Sequence, residues 1–297
     1  MPSLADVRNS NALYAPQERP VLVVFGGTSG VGAGISRVFA RHTHGRIHIV
    51  LIGRSQSAAE AIIASLPSHP ESKYEFLPLD GTRVKNVRVL AAGLRERLGK
   101  INYLVLSQGG IQVNGEQTEE GFDSRVALMM HGRARAAIDL APLLQNAATK
   151  GEDARVMIVA NAGRGGPIDL NDLSLKGTSM FRMLPTFSTY SDIYALELAE
   201  RIPGVSVTHI FPGGVKSQVG RALPWYLYWI FSTLEYLFFI PADDCGEWMM
   251  SVLIDPETKT GAWFRRDHGQ KIPPSKYADA HAREVAWAYF EEKTGSL

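Results

Sequence analysis

Apolar runs of strand length alternate along this chain with stretches of helical period. Val21–Phe25 is a continuous apolar run, and Ile35, Val38 and Phe39 after it recur at helical spacing. Ile47–Ile52 predicts a second strand, and Ser57–Leu66 the helix that follows. Tyr74–Leu77 predicts a third strand ending near Asp80. Val84, Val87, Ala91, Leu94 and Leu98 then mark the inner face of a helix closed by Gly99. Ile101–Leu106 predicts a fourth strand, Phe122–Leu144 a long helix, Arg155–Ala160 a fifth strand and Thr186–Arg201 another helix. Val205–Phe211 and Ala262–Phe264 supply the sixth and seventh strands, with a terminal helix near Tyr277–Glu291. Such alternation predicts an α/β protein: one doubly wound domain whose parallel sheet carries helices on both faces.

Two stretches interrupt the alternation: a Gly-rich polar insertion at 162–185 and an aromatic one at 214–242. Both follow the carboxyl ends of strands, where ligands bind in open α/β sheets, so the substrate surface is expected between them. Within the second, Trp225, Tyr226, Trp229, Phe231, Tyr236, Phe238 and Phe239 read first as the wall of an apolar pocket. Peripheral membrane contact through 225–240 is the second reading. The segment is fenced by Pro224 and Pro241 and carries Glu235, which argues against a spanning helix.

The chain of 297 residues has a formal charge of only +1, which implies no general attraction to nucleic acid. Its single cysteine, Cys245, excludes an internal disulfide and fits a reducing, cytoplasmic setting. Residues 1–19 lack the apolar core of a signal peptide and read as a flexible arm ahead of the domain at 20–297. His44 and His48 have metal-ligand spacing, but Gly45 lies between them and His48 falls in the second strand, so no metal site is expected.

The chemistry concentrates after the first strand, in Gly26-Gly27-Thr28-Ser29-Gly30-Val31-Gly32. Gly26 makes a tight turn, Gly30 and Gly32 allow backbone to approach a ligand, and the helix opening near Val31 points unpaired N–H groups at a pyrophosphate. Thr28, Ser29 and Val31 stand with these glycines as candidate contacts to a dinucleotide. The second strand ends in Gly53-Arg54, with no carboxylate for ribose hydroxyls; a guanidinium there suits a 2′-phosphate, so NADP(H) is favoured over NAD. Asp80 is a candidate for the adenine amino group. Ser107 and Gly109 lie where backbone can approach the adenine ribose, and Val215 with Ser217 where the nicotinamide carboxamide can be held.

The ordered set FGGTSGVG, LIGR, LD, SQGG, YSDIY and PGGVKS resembles the short-chain dehydrogenase/reductase superfamily over roughly residues 20–290. The resemblance implies a single-domain Rossmann fold, a nicotinamide cofactor, carbonyl/alcohol interconversion, and a homodimer or tetramer built on long helices. It also implies a catalytic Tyr-x-x-x-Lys pair, a Ser after the fifth strand and an Asn in the preceding helix. A neighbouring ammonium lowers the phenol's pKa from about 10 toward working pH. Here Tyr190 takes the tyrosine position, but Tyr194 stands for the lysine, Ala160-Asn161 for the serine, and Met129 for the asparagine.

Three functions fit a retained nucleotide turn beside this altered tetrad. The first is an NADP-dependent reductase of a bulky apolar carbonyl, enone or imine, in which Tyr190 donates the proton, Asn161 orients the carbonyl and Tyr194 helps seat the ribose. The second is a non-redox cyclase or isomerase with a structural nucleotide. The third is a nucleotide-sensing binding protein. Superfamily members with such departures recur in secondary-metabolite pathways. His131, Arg133, Asp169, Asp172 and Lys176 are the candidate replacement acid/base groups. Arg133 shares a helix face with Met129, whereas His131 is expected to point away. Asp169, Asp172 and Lys176 read as capping or solvated residues of the insertion.

Overall fold

The computed structural model describes residues 2–110, 115–216 and 239–295. Seven parallel strands form one sheet in the order β3-β2-β1-β4-β5-β6-β7. They are β1 (Val21–Phe25), β2 (His48–Gly53), β3 (Lys73–Pro78), β4 (Tyr103–Leu106), β5 (Arg155–Val159), β6 (Ser206–Ile210) and β7 (Gly261–Arg265). The order reverses direction at β1, which pairs with β2 on one side and β4 on the other. That switch point opens a crevice above Phe25 and Leu106, at the carboxyl ends of the central strands.

Helices cover both faces. On one side lie α2 (Gly30–His42), α3 (Gln56–Ser65) and α8 (Ala242–Leu253); on the other lie α4 (Val84–Arg97), α6 (Gly132–Thr149), α7 (Met180–Arg201) and α9 (Ala280–Thr294). Burial on both faces explains the unbroken apolar strands: Val21, Val23 and Phe25 enter one core, Leu22 and Val24 the other. The long helix expected from Phe122 begins instead as a short α5 (Ser124–Val126). It passes through a π-turn at Ala127–His131 into α6, which absorbs Pro142 and runs on to Thr149.

Three expectations need correction. Residues 1–19 are not a loose arm throughout, because Leu4–Asn11 forms α1, opened by a Ser3/Asp6 capping box. Val7 is buried, and Asn11 donates to the Glu247 carboxylate and carbonyl on α8. α7 starts at Met180 rather than Thr186, with Pro185 inside it, so the polar insertion ends at Ser179. α8 is absent from the elements expected above, although Cys245, Trp248, Met249 and Val252 recur at helical spacing; the aromatic stretch assigned to 214–242 runs directly into it.

α8 is also the partner that fixes α2. A Cβ built on Gly34 would overlap the Ala242 carbonyl oxygen, and one on Gly246 would lie 2.6 Å from the Gly34 carbonyl. The helices therefore cross backbone on backbone. Around the crossing, Asp243 pairs with Arg37 and Arg41, and buried Glu247 accepts from Arg41, His42 and Asn11. Gly34→Ala is expected to cost about 1–3 kcal/mol in urea unfolding, the range for overpacking a tight contact. Gly93→Ala on α4, where an added Cβ meets nothing within 4 Å, is the control expected to leave stability unchanged or raise it.

Candidate functional site

The crevice above the sheet contains a cavity of about 780 Å³ that runs from the glycine turn to the ends of β5 and β6. At its floor, Gly26 has φ +83°, and a side chain there would meet the Gln108 backbone nitrogen at 2.7 Å. A Cβ on Gly32 would lie 2.5 Å from the Gly26 carbonyl and 2.6 Å from Ser107 Oγ. Both positions require glycine, and Gly30 follows with φ +51°. α2 then begins under Ser29, whose side chain makes no capping bond. The first N–H groups of the helix therefore face the cavity with no side chain satisfying them, as an anion-binding end requires.

The remaining nucleotide candidates fall along the same wall. Gly53 lets Thr28 close in, since a Cβ there would be 2.9 Å from Thr28 Cγ2. Arg54 is exposed at the rim and makes no hydrogen bond or ion pair with any described residue. Asp80 lines the cavity, but its carboxylate already accepts the Thr82 amide at 3.0 Å and hydroxyl at 2.6 Å. Those bonds, with help from the Arg83 and Arg54 charges, hold it below the usual carboxylate range. Ser107 donates to the Phe25 carbonyl, tying β4 to β1 beneath Gly109. Val215 lines the opposite wall, bridged to Ile240; Ser217 and 217–238 of the aromatic stretch lie outside the described residues. Among the described residues, no helix is long and apolar enough to cross a membrane.

The catalytic candidates separate. Asn161 lines the cavity beside Val159 and Ala160, while its carbonyl accepts from Ser188 Oγ. Tyr190 and Tyr194 do not line it. Tyr190 is wholly buried, its hydroxyl has no hydrogen-bond partner among the described residues, and burial raises its phenol. Tyr194 shares a 3.2 Å hydrogen bond with His131 Nδ1 in the core, against Trp287 and Phe290. In this structure the expected proton donor lies in the core. The α7 side chain that reaches the cavity is Leu184, and six residues of helix displace Tyr190 by roughly 9 Å along the axis.

His131 points away from the cavity, and burial pushes its imidazole down to about 3, so it is neutral. Asp169 and Asp172 accept from Asn171 and Ser174 within the insertion, as turn residues do. His42 bonds Glu247 whereas His48 bonds Glu75, so the histidines near 44 serve different carboxylates. Arg133 does reach the cavity, together with Met129, and both face Gly109. Its guanidinium bonds the carbonyls of Gln108 and Val159, joining the ends of β4 and β5. Arg164, Leu184, Phe211 and Phe239 complete this end, with the Arg164 guanidinium 4.3 Å from the Phe211 ring centroid.

A glycine turn at the switch point of a doubly wound sheet defines a Rossmann-type protein. Comparison with known proteins narrows the class. A short chain dehydrogenase family model matches residues 20–175, and the chain belongs to that family of oxidoreductases. One relative, Oxidoreductase andH of Emericella variicolor, is 30% identical over 247 residues, covering 79% of this chain and 72% of the relative. Polyprenol dehydrogenase of Mus musculus is 24% identical over 291 residues, 95% of this chain and 85% of the relative. A solved short-chain dehydrogenase from Sphingobium yanoikuyae in complex with NADPH superposes with a TM-score of 0.58 at 21% identity, over 93% of this chain and 95% of that one.

Because the Tyr190 hydroxyl is buried with no partner among the described residues, removing it relieves a desolvated donor. Tyr190→Phe is expected to match or exceed the wild type by up to about 1 kcal/mol in chemical denaturation, with nucleotide affinity unchanged. A loss of more than that, or a loss of nucleotide binding, would place the hydroxyl in the site after all.

Proposed function

We propose that this protein is an NADP(H)-dependent oxidoreductase acting on a bulky apolar carbonyl, enone or imine, in secondary metabolism. The observation that carries this reading is one continuous cavity, with the glycine turn and an exposed Arg54 that pairs with no described residue at one end and an apolar chamber at the other. A solved relative of the same fold holds NADPH, and the name of the mouse relative points to a long isoprenoid alcohol as the substrate of that protein. Both fit a chamber walled by Met129, Leu184, Phe211 and Phe239.

When bound, the nicotinamide supplies the hydride donor or acceptor. The chain's part is to hold and to polarise. α2's amino end and Thr28 take the pyrophosphate, Arg54 the 2′-phosphate, and the Gly213–Val215 backbone the carboxamide. Asn161 stands at the end of β5 to orient the substrate oxygen. With Tyr190 and Tyr194 in the core, no phenol among the described residues lines the cavity, and Asn161 is the polar side chain at its β5 end. The same absence favours, as second reading, a non-redox isomerase or cyclase with a structural nucleotide.

Titrating Arg54→Ala with both nucleotides tests the cofactor assignment. NADPH affinity is expected to fall roughly 10–100-fold, the weight of a charge-assisted phosphate contact, while NADH affinity stays within about twofold. Equal losses for the two would remove the 2′-phosphate from the argument. Loss of NADPH absorbance that depends on an added apolar ketone separates redox from non-redox turnover.

A further inference from the structure

Five arginines are buried among the described residues: Arg125, Arg133, Arg135, Arg155 and Arg265. Four of them meet a carboxylate, in the pairs Arg125–Asp123, Arg135–Asp139, Arg155–Asp153 and Arg265–Asp255. Arg133 has none among the described residues, although it is only 3% exposed. A buried charge without a counter-ion is costly, and chains ordinarily pair or avoid one. Burial alone depresses this guanidinium to about 10 from its usual range, so it keeps its proton at neutral pH.

Its hydrogen bonds do not exhaust it. A guanidinium carries five N–H groups. Nε and one Nη2 proton go to the Gln108 carbonyl, and one Nη1 proton to that of Val159. Two donors remain, one on each terminal nitrogen, on a side chain that lines the cavity. Nearby, Arg164 lines the same end with no ion pair to a described residue. The only carboxylate lining the cavity among the described residues is Asp80, which lies with Arg54 at the opposite end and is held by Thr82.

We propose that Arg133 is a specificity-determining residue that recognises an anionic oxygen group, a carboxylate, on an otherwise apolar substrate. The counter-ion absent from the protein arrives with the ligand, while Met129, Leu184 and Phe211 take its hydrocarbon body. This assignment rests on the reading of the apolar chamber as the substrate end. It does not require that the nucleotide be NADP. Phosphates of a dinucleotide are met at the glycine turn and Arg54, which leaves the charge at the β4 and β5 ends for the second ligand.

The test is calorimetric titration of the full chain, with and without saturating NADPH, using dodecanoate and dodecanol below their aggregation limits. Wild-type protein is expected to bind dodecanoate about tenfold or more tightly than dodecanol, the worth of hydrogen bonds to a charged group. Arg133→Gln removes the charge and keeps a donor only at the depth of Nε, near the Gln108 carbonyl; it should bring the two ligands within about twofold and leave NADPH affinity unchanged. Equal affinity of the wild type for acid and alcohol overturns the proposal, whether or not the variant folds. So does a folded Arg133→Gln protein, verified by circular dichroism, that retains the preference. A carboxylate preference that persists where NADPH fails to bind would sink the cofactor assignment alone.

Discussion

Backbone contact at glycine is the constraint on which this molecule depends. α2 must begin close enough to β1 and β4 for its amino end to face the crevice. Gly32 against the Gly26 carbonyl and Ser107 permits that approach. Further along, Gly34 against Ala242 and Gly246 holds the same helix to α8. A methyl group at either place would tilt α2 away, and the N–H groups that define the phosphate cradle would lose their aim. Fold and site therefore share one determinant, since the residues that let α2 pack are those that position it over a ligand.

Most of the sheet was legible because each strand is buried on both faces and reads as a plain apolar run. Val21–Phe25 and Tyr103–Leu106 fall within runs the sequence marks. The errors lie where local signals compete with tertiary contact. Pro185 reads as a barrier to a helix, yet α7 begins five residues before it because the preceding turn packs into the core through Met180 and Met183. α1 carries too little apolar surface to announce itself; its docking depends on Asn11 and Arg8 meeting α8 carboxylates, contacts that no periodicity encodes.

The nucleotide end of the site was legible for a related reason. Glycines at 26, 30 and 32 are required by positive φ or close approach, so their chemistry is written into residue type. The catalytic end was not. Tyr190 carries the family's residue in a helix of the family's place, but depth along α7 is not a property of a five-residue motif. The π-turn at Ala127–His131 adds to the difficulty, because it changes which α6 residues look up into the cavity and which look down at Tyr194. Arg133 lies just past that turn; its shared face with Met129 is legible from i, i+4 spacing, but its hydrogen bonds to Gln108 and Val159 are not.

The way this chain treats buried charge gives the asymmetry its meaning. Glu247 is almost wholly buried, and the fold surrounds it with Arg41, His42 and Asn11. Arg155 is likewise met by Asp153 and by the Thr258 and Asp255 carbonyls. Where charge serves the packing of helices on the sheet, compensation comes from within. Arg133 is equally secluded but is given only two carbonyl partners, and it is placed where the sheet opens. Carbonyl dipoles hold a guanidinium in position without cancelling its charge, so the field reaching the chamber stays positive. The neutral Tyr190 hydroxyl, buried in the core, sets up no such field in the cavity. A cation fixed at the ends of β4 and β5 does, because it lines that cavity with its charge uncancelled by any carboxylate among the described residues.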